Sequence, residues 1–156
     1  MAVTAPADLA ARAGAAQPAV AALGLDARLA AAARSRAALA DAGPAVVDAA
    51  VAEAGQPRRF AERELRSALG LLDALPALAE AIRPRPVPAV SGSTTLEWAP
   101  YGVVLGWHAA NSPVWVPTLV AASALAGGNA VLARPSSRTR RTTGLVLEAI
   151  ASAWPA

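Results

Sequence analysis

At 156 residues, 55% hydrophobic but rich in Ala, and only 4% aromatic, the chain has the length of one domain or of a piece of a larger protein. Its net charge of +3 is carried entirely by Arg, because the sequence has no Lys, and it has no Cys and a single His. Lysine nucleophiles and Schiff bases, thiol catalysis, disulfides and a structural zinc site are thereby excluded within these residues, and the lack of Cys fits a reducing, cytoplasmic setting.

Residues 1–22, Ala-rich with Pro6 and Pro18, read as a flexible arm, and they lack the basic segment and apolar run of a targeting sequence. Leu25, Leu29, Arg36 and Leu39 predict a helix over about 25–41. Gly43-Pro44 breaks it, and Pro44 suits the first position of a second helix that runs to Ala54 and stops at Gly55 and Pro57. A third helix starts near Arg58. Its Leu65, Leu69, Leu72, Leu75, Leu78 and Ile82 form one apolar stripe, and Pro76 is expected to kink or split it. Residues 23–83 thus form a helical region, and a core built mainly of Ala and Leu buries little area, which predicts weak stability for the first eighty residues alone.

Arg83 to Pro88 alternates proline and reads as an extended polyproline linker. It opens a stretch, 84–100, that contains an edge strand over Thr94–Trp98. Residues 101–156 change period. Val103–Trp107 is a short apolar run expected to be a strand buried on both faces, followed by a helix over Pro113–Ala126. Gly127-Gly128-Asn129 reads as a left-handed cap, Ala130–Ala133 as the next strand, and Thr142–Ala153 as a last helix with Thr139 or Thr142 as N-cap. Strand-helix-strand-helix implies parallel strands with a right-handed crossover, so the fold class is α/β with a helical lead. The longest apolar run, Val114–Ala126, is far shorter than the roughly 20 residues of a membrane span, so no membrane partner is expected.

Ligands on such sheets bind beyond the carboxyl ends of the strands. Asn111 falls where the first strand gives way to its helix. There it is a cap for that helix, a neutral donor suited to an oxyanion hole, or both, since the two roles are not exclusive. Arg134, Ser136 and Ser137 follow the second strand, offering a forked cation and hydroxyls to a ribose or phosphate; the alternative is a solvated basic loop. Arg138, Arg140 and Arg141 precede the last helix, where cations are unfavourable by about 0.3–1 kcal/mol each unless an anion is near. His108, without a partner carboxylate in sequence, is assigned to packing or hydrogen bonding, and Trp107 to the core or a cofactor wall. The basic segment lacks interleaved aromatics and a second stripe, so nucleic acid is not expected as a partner.

The central stretch resembles the aldehyde dehydrogenase superfamily in three pieces that stand in register: Tyr101-Gly102-Val103-Val104, Asn111-Ser112-Pro113, and Ala124 through Ser136. The resemblance is strongest over 97–137 and extends over about 25–156. It implies a partial aldehyde dehydrogenase fold, with a helical lead followed by the first βαβα of a Rossmann-like sheet. It also implies NADP- or NAD-dependent oxidation of an aldehyde to a carboxylic acid through a thiohemiacetal, in a homo-oligomer when full length. Asn111 would stabilise the oxyanion, while Trp107, Ala110, Arg134, Ser136 and Ser137 would line the adenosine side of the cofactor site.

The sequence departs from the family pattern at four positions. Ala110 stands where the family has Trp, Ser112 where it has an aromatic, Arg134 where it has Lys, and Ser137 where it often has Glu. The last loss removes a carboxylate that would repel a 2′-phosphate, which makes NADP at least as acceptable as NAD. The family's nucleophilic Cys and general-base Glu belong to a later part of its sequence, so the chain is expected to be an amino-terminal portion that is inactive alone. An acyl-CoA reductase of the same superfamily, a non-catalytic nucleotide-binding or assembly module, and a helical interaction protein are the alternatives.

Overall fold

Helix propensity and the Gly/Pro punctuation partition the first half of the chain, and the computed structural model, which describes residues 5–88 and 91–155, follows that partition closely. Helices α1 (Pro6–Ala22), α2 (Leu25–Asp41), α3 (Gly43–Ala54) and α4 (Arg58–Ala79) come first, and a 3-10 turn over Glu80–Ile82 closes α4. Two short strands, β1 (Arg85–Val87) and β2 (Thr94–Leu96), form an antiparallel ribbon. Then come β3 (Val103–Trp107), α5 (Trp115–Ala126), β4 (Ala130–Arg134) and α6 (Arg140–Ala151), with β3 and β4 paired in parallel.

Several expectations change. Residues 6–22 are helical rather than a loose arm, because Val20 is buried and α1 packs on β4 and β3. Residues 1–4 lie outside the described part. Pro76 sits inside one continuous helix and does not split it. The proline-alternating segment is extended as expected, but Arg85–Val87 pairs with Thr94–Leu96. A two-stranded ribbon has an outer edge that needs no donor, so Pro86 is tolerated there. β3 is not buried on both faces: Leu105 is 61% and Trp107 71% exposed. With only two strands, α5 and α1 cover the sheet without reaching the outward-pointing alternate residues Val103, Leu105 and Trp107.

The main core cluster spans both halves of the chain, and Val47, Ala50 and Ala61 form a small second cluster between α3 and α4. Leu39 of α2, Val46 of α3, Leu72 and Leu75 of α4, Val114, and Val146 and Ile150 of α6 all bury in the main cluster. Each large aliphatic side chain so placed contributes about 1.5–3 kcal/mol. The helical lead is therefore stabilised by the strand-bearing half. The α5–β4 junction is built by Gly128, whose φ of 82° favours glycine, and by Asn129. The Asn129 backbone N–H donates to the Ala124 carbonyl (2.9 Å), and its Oδ1 accepts from the Gly102 N–H (3.0 Å), which fixes the start of β3 to the start of β4. Among the described residues no helix is long and apolar enough to cross a membrane.

Candidate functional site

The parallel register sets Trp107 directly opposite Arg134 at the carboxyl ends of the two strands. Their side chains stand on the uncovered side of the sheet, with the guanidinium carbon 4.2 Å from the centroid of the Trp107 ring. An exposed pair of this kind is worth about 0.5–1 kcal/mol and offers a flat cationic and aromatic surface. The loop beyond is ordered locally: the Ser136 hydroxyl accepts from the Arg138 N–H (3.2 Å), and its carbonyl accepts from the Thr139 N–H (3.2 Å). Ser136 is half-buried and Ser137 exposed, both beside the strand end.

Asn111 reaches the same end of the sheet along β3 but opens on a different side. Its side chain is exposed to a cavity of about 480 Å³ lined also by Gln56, Phe60, Glu64, Ser112 and Trp115. Arg134 and Trp107 do not line this cavity, and Ala110, half-buried, lies next to Asn111 in the turn. The candidate residues thus follow the carboxyl ends of the parallel pair but fall in two groups that do not share a cavity.

Neither helix N-terminus is capped as expected. Asn111 is not a cap: the N-cap position of α5 is Val114, with no side-chain cap of its own. Its donors are met by Glu64 of α4, whose Oε1 accepts from the Val114 N–H (3.1 Å), the Trp115 N–H (2.9 Å) and the Ser112 hydroxyl (2.6 Å). Gln56 Nε2 donates to the Asn111 carbonyl (3.2 Å), so the turn that carries Asn111 is held from both sides by the α3–α4 region. Freed from capping, the Asn111 amide is available to a ligand.

Helix α6 starts at Arg140, with Thr139 at the cap position but no side-chain bond. Here Glu53 of α3 accepts from the Arg141 N–H (3.0 Å), the Thr142 N–H (2.7 Å) and the Thr142 hydroxyl (2.8 Å). The anion that the Arg-rich segment calls for is therefore this carboxylate. Burial alone would raise its pKa. The bonds from Thr142 and Arg141, with the Arg141 charge, outweigh burial and hold the carboxyl below its ordinary range. Gln56, Glu53 and Glu64 were not legible as site residues from motif spacing. The available signal was electrostatic: Glu53 lies in the last turn of α3, where a carboxylate opposes the helix dipole, and arginines open α6, where cations do. Each misplacement offsets the other.

His108 is 2% exposed, and among the described residues neither ring nitrogen finds a hydrogen-bond partner. It packs tightly, since a Cβ on Gly106 would come within 2.8 Å of its ring. Packing is thus its role, without the hydrogen bond. Burial lowers its pKa. The unfolded chain takes up a proton as pH falls through about 6.5 while the folded ring does so only at lower pH. Stability is therefore full above that range and declines below it, by at most about 1.4 kcal/mol per pH unit, until the folded value is reached. Urea unfolding of the parent and of His108→Leu at pH 7.5 and 5.5 is expected to show this decline in the parent only.

Residues 4–155 match the family model described as "Aldehyde dehydrogenase family". Among solved structures, aldehyde dehydrogenase 21 from Physcomitrella patens in complex with succinate is 24% identical, with a TM-score of 0.84 over 96% of this chain and 33% of that one. A NAD-dependent benzaldehyde dehydrogenase from Corynebacterium glutamicum is 25% identical, with a TM-score of 0.83 over 94% of this chain and 33% of its own. A glyceraldehyde-3-phosphate dehydrogenase from Methanocaldococcus jannaschii, complexed with NADP, is 18% identical with a TM-score of 0.87 over 94% and 32%. The chain spans about a third of the length of these structures. No curated protein sequence matches it.

Proposed function

The chain belongs to the aldehyde dehydrogenase family, and we propose that it is the amino-terminal portion of an NAD(P)-dependent enzyme that oxidises an aldehyde to a carboxylic acid. The observation that carries this reading is the joint placement of two groups at the carboxyl end of β3 and β4. One is the Trp107–Arg134 pair; the other is the uncapped Asn111 amide at the cavity wall.

The residues present fit a dinucleotide. Trp107 and Arg134 form a flat wall for adenosine, with Ala110 beside the turn and Ser136 and Ser137 supplying hydroxyls to the ribose. Arg134 and Arg138 favour a 2′-phosphate, and no carboxylate stands at position 137 to repel it, so NADP is accepted at least as well as NAD. When bound, the nicotinamide accepts the hydride. The cavity beside Asn111 receives the aldehyde, and the Asn111 amide donates to its oxygen as negative charge develops there. Gln56 and Glu64 hold the turn in place so that this donor needs no rearrangement. The chain has no Cys, so the thiolate that attacks the aldehyde comes from outside these 156 residues. We assign the protein to the cytoplasm and to a homo-oligomer that pairs through exposed strand β2.

Titration with NADP, followed by tryptophan fluorescence, tests the reading. Saturable quenching that disappears in Trp107→Phe is expected. Quenching that persists unchanged in that variant, or no saturable response, would contradict it.

A further inference from the structure

The cavity beside Asn111 also carries a signature of its substrate. Phe60, Arg63, Glu64 and Ser67 lie at i, i+3, i+4 and i+7 on α4, a single helical stripe, and all four line the cavity. The same helix turns Ala61, Ala68, Leu72 and Leu75 to the core, so its second face is given over to the cavity wall. Within that stripe the two charges are not equivalent. The Glu64 carboxylate is occupied by the Ser112 hydroxyl and the first N–H groups of α5. Arg63 has no ion-pair partner among the described residues and stacks on Phe60, its guanidinium carbon 4.9 Å from the ring centroid. Arg59 stacks on the same ring at 5.2 Å and is likewise unpaired among them, whereas Arg58 is neutralised by Asp48. Neither Arg59 nor Arg63 forms an ion pair among the described residues, although Glu62 and Glu64 share these turns, so both guanidinium groups are open to an incoming anion.

We propose that the aldehyde this site takes carries an anionic group at the end remote from its carbonyl, held by the Arg63 guanidinium over Phe60 while Asn111 faces the carbonyl. This deepens the reading of the cavity given above and rests on it. A planar guanidinium pre-stacked on an aromatic ring receives a carboxylate or a phosphate through two parallel N–H bonds, and the stacking limits the freedom lost on binding.

NMR titration of the intact chain decides it, with 4-oxobutanoate as the carboxylate probe, glyceraldehyde 3-phosphate as the phosphate probe and butanal as the neutral one. At least one anionic probe is expected to bind about tenfold or more tightly than butanal, with shifts at Trp115 and the Asn111 side-chain amide. Arg63→Gln is expected to abolish that advantage while NADP binding stays intact; the anionic probe that loses more identifies the group. Equal affinity of all three probes, or an anion preference unchanged in Arg63→Gln, would overturn the proposal and leave the aldehyde cavity standing. If no probe shifts Asn111 or Trp115, the cavity assignment falls as well, whatever NADP does.

Discussion

Replacing Glu53 by Ala is expected to destabilise the fold by about 2–3 kcal/mol, the scale of a lost helix cap combined with charge-assisted hydrogen bonds to backbone. For a chain of this length that corresponds to a melting temperature lower by about 5–10 °C. The reason is that one carboxylate satisfies two backbone N–H groups and a hydroxyl at the start of α6. Its removal also leaves Arg141 at a helix N-terminus without a counter-charge. Because α3 and α6 meet through this contact and share the core with Val46 and Val146, the loss weakens the joint between the helical lead and the strand-bearing half. Glu53→Gln keeps an acceptor oxygen and is expected to lose about half as much. The pH dependence follows from the lowered carboxyl pKa. The contribution is full above the ordinary carboxyl value of 4.5 and is lost as pH falls below it through the folded value, so parent and Glu53→Ala curves converge in acid. Calorimetric melting of both proteins between pH 7 and pH 3 checks magnitude and direction; equal melting temperatures at pH 7 would remove the cap from the account.

Replacing Arg134 by Ala is expected to raise the dissociation constant for NADP at least about tenfold, a loss of about 1.4 kcal/mol, with a smaller rise for NAD. Arg134 is exposed, stacks on the Trp107 ring and forms no ion pair among the described residues, so the melting temperature is expected to change little. The difference between the two nucleotides isolates the 2′-phosphate: a guanidinium that serves only the ribose or the adenine ring would weaken both equally. Calorimetric titration of parent and variant with each nucleotide separates these cases.

The elements were largely visible in the sequence because their signals are local. Gly43-Pro44 and Gly55 to Pro57 punctuate α2, α3 and α4, and the β3–α5–β4–α6 order follows from the change of hydrophobic period after Gly102. What escaped was set by contacts distant in the chain. Helix formation over 6–22 depends on β4 as a packing partner, which an Ala-rich segment with two prolines does not announce. The exposure of Leu105 and Trp107 depends on how many strands flank β3, a property of the sheet and not of the apolar run. At the site, Asn111 and Arg134 stood out because strand ends are where ligands bind, yet their caps came from Glu64 and Glu53, 50 and 89 residues away from the N–H groups they receive. Those carboxylates follow no motif spacing. Only the opposing dipoles of α3 and α6 hinted at them.

A bound dinucleotide is expected to lie across the carboxyl end of β3 and β4, reaching from the Trp107–Arg134 pair to Asn111. Intermolecular NOEs from bound NADP test this most directly. The adenine protons are expected to show contacts to the Trp107 ring, and the nicotinamide protons to the Asn111 side-chain amide, in the same complex. Adenine contacts confined to residues of α4 or α6, with none at Trp107, would contradict it.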